Sequence, residues 1–185
     1  MKTAYITTLA FTFFLLFACS KDSGTTGNTT PPPGSNANFG AKINGTSFPG
    51  TSGINVASAS YNESAGGASL GLSFVSQSSN FAVAKTIGIG CTRFGANGIE
   101  NGDVFTGEEP GTPGNLFYAI GTYIEIHSLT TPVVHAASDS ISYVEITNID
   151  KTKKEVSGNF NFIARDTINL TYSITSGWFT DVEYN

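Results

Sequence analysis

The two histidines of the chain, His127 and His135, lie close in sequence to the acidic residue Glu125. If residues 128–132 close a hairpin, Glu125 comes to lie beside His135, with His127 diagonal to it. Two imidazoles and a carboxylate can bind zinc or a similar metal, which would allow a metal-assisted hydrolase. No local motif such as H-E-x-x-H is present. We therefore favour solvated side chains near a loop and expect no metal or other cofactor.

A serine-based catalytic site is the next alternative, because Asp139 and Ser140 follow His135. These are the residue types of a catalytic triad. The serine lacks the surrounding glycines of a nucleophile elbow, and nothing nearby predicts an oxyanion hole. We therefore expect no catalytic residue and predict that the protein is not an enzyme.

Four acidic residues, Glu100, Asp103, Glu108 and Glu109, cluster in a stretch rich in glycine and proline. Carboxylate-rich loops can hold calcium, but the D-x-D-x-D-G pattern of a calcium loop is absent from this sequence. Long loops in compact domains are often functional. We interpret this stretch as a solvated acidic loop and as a candidate place for a partner to bind.

Aromatic residues near the C-terminus suggest a second kind of binding site. Trp178, together with Phe179, Tyr184 and Tyr118, could form a platform that stacks against a glycan. The alternative is that these rings pack in the core or across strands, as aromatic residues in sheets usually do. Cys91 lies in the apolar series of its strand and is predicted to be a small buried hydrophobic residue.

The elements that would position these residues are β-strands. Apolar residues alternate with small or polar ones through most of the chain, and no stretch has helical spacing. The apolar series from Phe81 to Cys91 is interrupted once, by the charged residue Lys85. One face of each strand is predicted to point inward. The inward series are Leu70, Leu72 and Phe74; Phe81, Val83, Ile87, Ile89 and Cys91; Leu116, Tyr118, Ile120, Ile124 and Ile126; Val156, Phe160, Phe162 and Ala164; and Ile168, Leu170, Tyr172 and Ile174.

Turn residues separate these strands. Asn44-Gly45 predicts a tight hairpin, and residues 150–154 predict a polar reversal. Glycine is abundant, with 21 residues, and only 12% of the chain is charged. We count about ten short strands. The predicted fold is all-β, an antiparallel two-sheet sandwich, with a flattened β-barrel as the second choice.

The N-terminal segment has the features of a secretory signal. Lys2 is followed by residues 4–18, which carry no charge and are mainly apolar. This run is shorter than the roughly 20 apolar residues of a membrane span. Residues 1–18 are therefore predicted to be a signal peptide.

The end of that segment, Leu16-Phe17-Ala18-Cys19, resembles the lipobox of bacterial lipoproteins. The resemblance implies cleavage before Cys19, a diacylglycerol on its sulfur and usually a further acyl chain. Two or three chains bind a membrane stably, whereas one is marginal. The sequence Cys-Ser-Lys-Asp of residues 19–22 also partly resembles an export signal of Bacteroidota outer-membrane lipoproteins. This partial resemblance implies that the protein is exported to the cell surface. The alternative is that it stays at the periplasmic face.

The rest of the chain divides into a tether and a domain. Residues 19–38 contain serine, threonine, glycine and three consecutive prolines, a composition that predicts a flexible linker. Residues 39–185 suffice for a single domain.

The net charge of −5 argues against a nucleic-acid partner. After acylation of Cys19 only Cys91 is left, so no disulfide is expected within the chain.

Three motifs of the domain resemble those of uncharacterised Bacteroidota cell-envelope lipoproteins. They are Ala41-Lys42-Ile43-Asn44-Gly45, then Ser157-Gly158-Asn159-Phe160-Asn161-Phe162, and finally Ile174-Thr175-Ser176-Gly177-Trp178-Phe179. The resemblance implies a β-rich envelope domain and carries over no catalytic residues. Gly158 and Gly177 suit close backbone approach or a turn.

Two triplets resemble the acidic, hydroxyl and apolar pattern of O-glycosylation in Bacteroidota envelopes. They are Asp139-Ser140-Ile141 and Asp166-Thr167-Ile168. The resemblance implies Ser140 and Thr167 as candidate glycosylation sites.

These observations favour a membrane-anchored envelope lipoprotein that binds or displays, without catalysis, a glycan or protein partner. The first alternative is the metal-assisted hydrolase at His127 and His135. The second is a structural envelope component, which would present a large exposed apolar patch or a sheet edge for pairing.

Overall fold

The computed structural model describes residues 38–50, 53–80, 82–95, 97–107, 117–127 and 131–185, with only the backbone at 131–135 and 138–142. The described residues belong to one compact unit. They include no helix long and apolar enough to cross a membrane. Cys19, the signal peptide and all but the last residue of the tether lie outside them. The strands are β1 (Phe39–Ile43), β2 (Thr46–Phe48), β3 (Ile54–Ser64), β4 (Gly67–Gln77), β5 (Val83–Phe94), β6 (Val104–Thr106), β7 (Phe117–His127), β8 (Thr131–Asp150), β9 (Glu155–Arg165) and β10 (Thr171–Glu183).

These strands form one hydrogen-bonded sheet in the order β2-β1-β10-β9-β8-β6-β7-β5-β4-β3, and β8 also pairs with β7. The strand pairs are antiparallel except for β6 with β7, which pair in parallel at one position. Ala59 of the edge strand β3 forms a parallel bridge to Tyr184, just after β10, and so closes the sheet between β3 and β10. The predicted all-β fold of about ten strands is confirmed. Because one sheet contains every described strand, its arrangement is the barrel rather than the sandwich.

The barrel encloses a single apolar core. The inward series predicted for β4, β5 and β9 are confirmed, since Leu70, Ile89 and Phe162 are buried together with their alternate neighbours. The ring of Phe74 stacks on Phe160 with centroids 5.5 Å apart and on Phe39 at 5.1 Å. Burial of each such side chain contributes about 1.5–3 kcal/mol, and this burial is the main source of stability.

Two glycines let aromatic rings lie directly on the sheet. A Cβ atom at Gly177 would be 2.5 Å from the ring of Phe160, and one at Gly158 would be 2.6 Å from the ring of Phe179. Real Cβ atoms do not approach so closely. The predicted close approach at both glycines is therefore confirmed.

The predicted turns are also found. Asn44 and Gly45 connect β1 to β2 with positive φ angles of 49° and 81°, as a type I′ hairpin requires. At the reversal between β8 and β9, the Asp150 carboxylate accepts hydrogen bonds from the backbone N–H groups of Thr152 and Lys153. Side-chain acceptors of this kind fix a turn without tertiary contacts.

The prediction for β7 is wrong. Tyr118, Ile120, Ile124 and Ile126 were expected to face inward, but the opposite face of this strand is buried. The reason lies at Gly121, where a Cβ atom would be 2.6 Å from the ring of Phe162. That ring fills the space inside the barrel, so the isoleucines face outward. Two members of the predicted series, Phe81 and Leu116, lie outside the described residues.

The prediction for the start of β10 is wrong as well. Ile168 and Leu170 are 74% and 54% exposed in a turn before the strand begins. The Asp166 carboxylate accepts hydrogen bonds from the backbone N–H groups of both residues and holds them in that turn. Inward alternation begins only afterwards, with Ile174 fully buried.

Candidate binding site at the barrel mouth

One end of the barrel, which we call the mouth, is formed where β5 begins and β7 ends. Lys85 pairs with Glu125 and Val83 with His127 across these strands. Lys85 alternates with the buried residues of β5, and Glu125 alternates with buried Tyr123. Since directly paired residues share a face of a sheet, Lys85, Glu125 and His127 all point into the mouth.

The Glu125 carboxylate is the centre of this cluster. It accepts a hydrogen bond from the Tyr123 hydroxyl, and its Oε1 lies 2.6 Å from His127 Nε2. The Nζ atom of Lys85 is 3.7 Å from the same oxygen. The Glu125 side chain is 16% exposed, Lys85 36% and His127 51%. The cluster therefore runs from a buried phenol to groups that water can reach.

The surroundings keep Glu125 ionised. Burial raises its pKa, but the hydrogen bonds from Tyr123 and His127 and the charge of Lys85 outweigh burial and hold the pKa below its usual range. Burial, followed by the hydrogen bond to Glu125, raises the pKa of the Tyr123 phenol. An ionised carboxylate of low pKa is a poor general base near neutral pH. At neutral pH the mouth therefore presents an ionised carboxylate 3.7 Å from the Lys85 ammonium.

A cavity of about 320 Å³ opens beside Lys85. The hairpin of β1 and β2 supplies the apolar side chains of Ile43 and Phe48, and β4 with the following turn supplies the hydroxyls of Ser76 and Ser78. Thr46, Ser47, Gly50 and Val83 complete the lining with Lys85, so polar and apolar side chains are mixed. The mouths of β-barrels are among the usual places for small-molecule sites.

The opposite end of the barrel is closed by the loop before β6. Arg93, also inward-facing on β5, donates hydrogen bonds to the Gly98 carbonyl oxygen at 2.6 Å and to Asp103 Oδ2 at 3.0 Å. Its guanidinium carbon lies 5.1 Å from the ring centroid of Phe117. The Arg93 and Asp103 side chains are only 14% and 12% exposed. The pair ties the loop onto the barrel.

The prediction of a solvated acidic loop is therefore wrong for Asp103. Its carboxylate also accepts a hydrogen bond from the backbone N–H of Glu100 at 2.8 Å. Glu100 itself is exposed, with its carboxylate 3.8 Å from Arg93. Glu108 and Glu109 lie outside the described residues. Within the described part of the loop, the acidic side chains face an arginine of the same chain.

The four aromatic residues do not form a platform, and two of them are buried, as the favoured packing interpretation predicts. Phe179 is in the core, and Tyr184 is buried with its ring 5.2 Å from that of Tyr61. Trp178 is half-buried on the outside of β10, where its indole lies over Gly40. Tyr118 pairs with Thr92 on another part of the sheet. The grouping of these four rings is wrong.

The pairing of β7 with β8 around His135 is shifted by one residue from the pairing expected from the sequence. β7 and β8 form the predicted hairpin, but Glu125 pairs with Val134 and His135 pairs with Ile124. The His135 side chain is not among the described groups. Among the described side chains, no three of His, Cys, Asp or Glu type form a group that could hold a metal ion. The metal site at His127 and His135 stays a prediction.

The remaining sequence candidates are placed as follows. Thr167 is exposed in the turn that begins at Asp166. The Ser140 side chain lies outside the described groups. Cys91 is buried, as predicted, and burial raises the pKa of its thiol. Such a thiol is unreactive.

The sequence reasoning missed Lys85, Tyr123 and Ser76 as parts of one site with Glu125 and His127. A signal was present, since Lys85 interrupts an otherwise apolar inward series. A charged residue in such a series must lie at an opening of the core or be paired there. Comparisons of the chain with protein-family models, curated proteins and solved structures give no match.

Proposed function

We propose that this protein is a noncatalytic binding module of the bacterial cell envelope, and that its binding site is the barrel mouth. The single observation that carries the proposal is the inward-facing pair Lys85 and Glu125 beside a cavity lined by both apolar and polar side chains. Lys85 lies at an opening of the core with its ammonium 3.7 Å from Glu125, so it can exchange this long contact for a hydrogen bond to a ligand in the cavity.

The chemistry of the mouth favours a small ligand rich in hydroxyl groups, such as a short glycan. The Lys85 ammonium donates hydrogen bonds, the Glu125 carboxylate accepts them, and the Ser76 hydroxyl can do both. The Ser78 hydroxyl donates to Asn80 and accepts from the Val83 N–H within the chain. Neighbouring hydroxyls of a sugar can satisfy such a mixed set, and the CH face of its ring can pack on Ile43 and Phe48. A cavity near 320 Å³ is at the lower end of the usual range for ligands.

The envelope location is proposed from the N-terminal sequence. The lipobox at residues 16–19 supports lipid attachment at Cys19, and the composition of residues 19–38 supports a tether to the domain. The resemblance of the domain motifs to uncharacterised Bacteroidota envelope lipoproteins supports the same location. The outer membrane is the proposed site, at the cell surface or the periplasmic face. Labelled palmitate should enter the wild type and not the Cys19→Ala variant.

Binding is tested with the labelled full chain on a glycan array, followed by calorimetric titration of the glycans retained. We expect Lys85→Met and Glu125→Gln each to weaken binding at least tenfold, because each removes a charged hydrogen-bonding group from the mouth. Glu145→Gln is the matched control, since that carboxylate accepts a hydrogen bond from Tyr143 on the outside of the barrel. Retention of no glycan, or equal loss in all three variants, would contradict the proposal.

A further inference from the structure

The outer surface of β3, β4, β5 and β7 forms a regular grid without a charged side chain. Its positions are the even-numbered residues of 54–62, 84–92 and 118–126 and the odd-numbered residues of 69–77. The twenty residues pair in five rows across four strands with no bulge in the register. None of them is buried. We call this surface the uncharged face.

Such a composition is unusual for a surface that only meets water. Only 12% of the chain is charged. At that frequency about two or three charges are expected among twenty positions, and more at a surface, where charged residues concentrate. The face instead contains Ile54, Val56, Ile120 and Ile126 as exposed apolar residues. Interfaces between proteins are depleted in lysine and acidic residues and are marked by exposed apolar patches.

The middle of the uncharged face is also smooth. Gly71 pairs with Gly90, and Gly88 lies in the next row. The hydroxyl of Thr122 donates a hydrogen bond to the Gly88 carbonyl oxygen at 3.4 Å, so it bonds within its own sheet. Small residues and hydroxyls that bond within their own sheet give a surface against which another flat surface can pack closely.

We infer that a second copy of this chain packs against the uncharged face. A partner that binds through charge finds no complement there, whereas an uncharged surface suits a copy of itself in a two-fold dimer. The chain carries a net charge of −5, so two copies approach most easily where neither presents charge. Twenty residues match the 20–30 per partner of a standard interface, and two sheets pack about 10 Å apart. This inference does not depend on the mouth, which opens inside the barrel.

The association is tested by sedimentation velocity of the full chain in density-matched detergent, with micelles in large excess over protein. We expect a species of twice the chain mass at micromolar concentration. Ser73→Glu places like charges in the centre of the interface and should weaken the dimer at least tenfold. Ser173→Glu is the matched control, because it makes the same change on the outside of β10.

A second measurement needs no variant. Hydroxyl-radical footprinting of the wild type should show less oxidation of Ile120 and Ile126 at high protein concentration than at low. Oxidation of Ile168 and Leu170, exposed in the turn before β10, should not change. A monomer at every concentration, or equal weakening by both glutamate variants, would overturn the inference, as would oxidation of Ile120 that does not depend on concentration.

Discussion

Strand β5 carries one basic residue toward each end of the barrel, and the two have opposite surroundings. The Arg93 side chain is 14% exposed and donates hydrogen bonds at 2.6 Å to Gly98 and 3.0 Å to Asp103. The Lys85 side chain is 36% exposed, and its Nζ is 3.7 Å from Glu125. One strand therefore places one cation in a closed network and the other beside a cavity.

The difference follows from the loop that folds over Arg93. Ile99 of that loop is fully buried, and its backbone N–H donates a hydrogen bond to the Tyr61 hydroxyl at 3.2 Å. The same hydroxyl donates to Glu63, whose carboxylate pairs with Lys151 at 2.8 Å. Removing a cation enclosed in this way leaves its buried partners unpaired, whereas a half-exposed cation at a cavity can exchange its partner for a ligand. The end at Arg93 is therefore a closed structural network, and the end at Lys85 is the proposed binding site.

The largest effect is expected at the closed end. Arg93→Met should lower the free energy of unfolding by about 3 kcal/mol, because it leaves the Asp103 carboxylate and the Gly98 carbonyl buried without their donor. Lys85→Met is the control, and its cost should stay below about 1 kcal/mol, as for partly exposed ion pairs. Urea denaturation of the two variants measures both values. Equal losses would remove the distinction between the two ends.

A smaller effect is expected from the carboxylate of the mouth. Glu125→Gln should cost about 1 kcal/mol at pH 7, because an amide accepts the Tyr123 hydrogen bond but loses the attraction of Lys85. The folded-state pKa of Glu125 is lowered below its ordinary value of 4.5, so its contribution is fully present above that pH. It is lost as the pH falls through the lowered value.

The difference in stability between wild type and Glu125→Gln should therefore shrink from pH 6 to pH 3. Denaturation curves across that range measure it. A difference that stays constant, or grows toward low pH, would show that the ionised carboxylate does not stabilise the mouth.

Sequence alternation predicted the inward faces of β4, β5 and β9 because one face of each is apolar and the other small or polar. It failed on β7, where the more apolar face, with Ile120, Ile124 and Ile126, points outward. The failure coincides with the uncharged face, and a local rule that breaks at a solvent-exposed surface is expected where that surface has a second role. Glu125 and His127 were found because charged side chains near a hairpin are conspicuous. Lys85 was seen only as an interruption.

The sequence by itself determined the local features: strand periodicity, the hairpin at Asn44 and Gly45, the polar reversal after Asp150 and the burial of Cys91. These depend on backbone preferences and on contrasts between neighbouring residues. The tertiary structure decided the closure of the sheet at Ala59 and Tyr184, the inward face of β7 and the pairing of Asp103 with Arg93. Each of these depends on which distant group fills a space, as the Phe162 ring does above Gly121. Competition for space between remote segments leaves no local pattern in the chain.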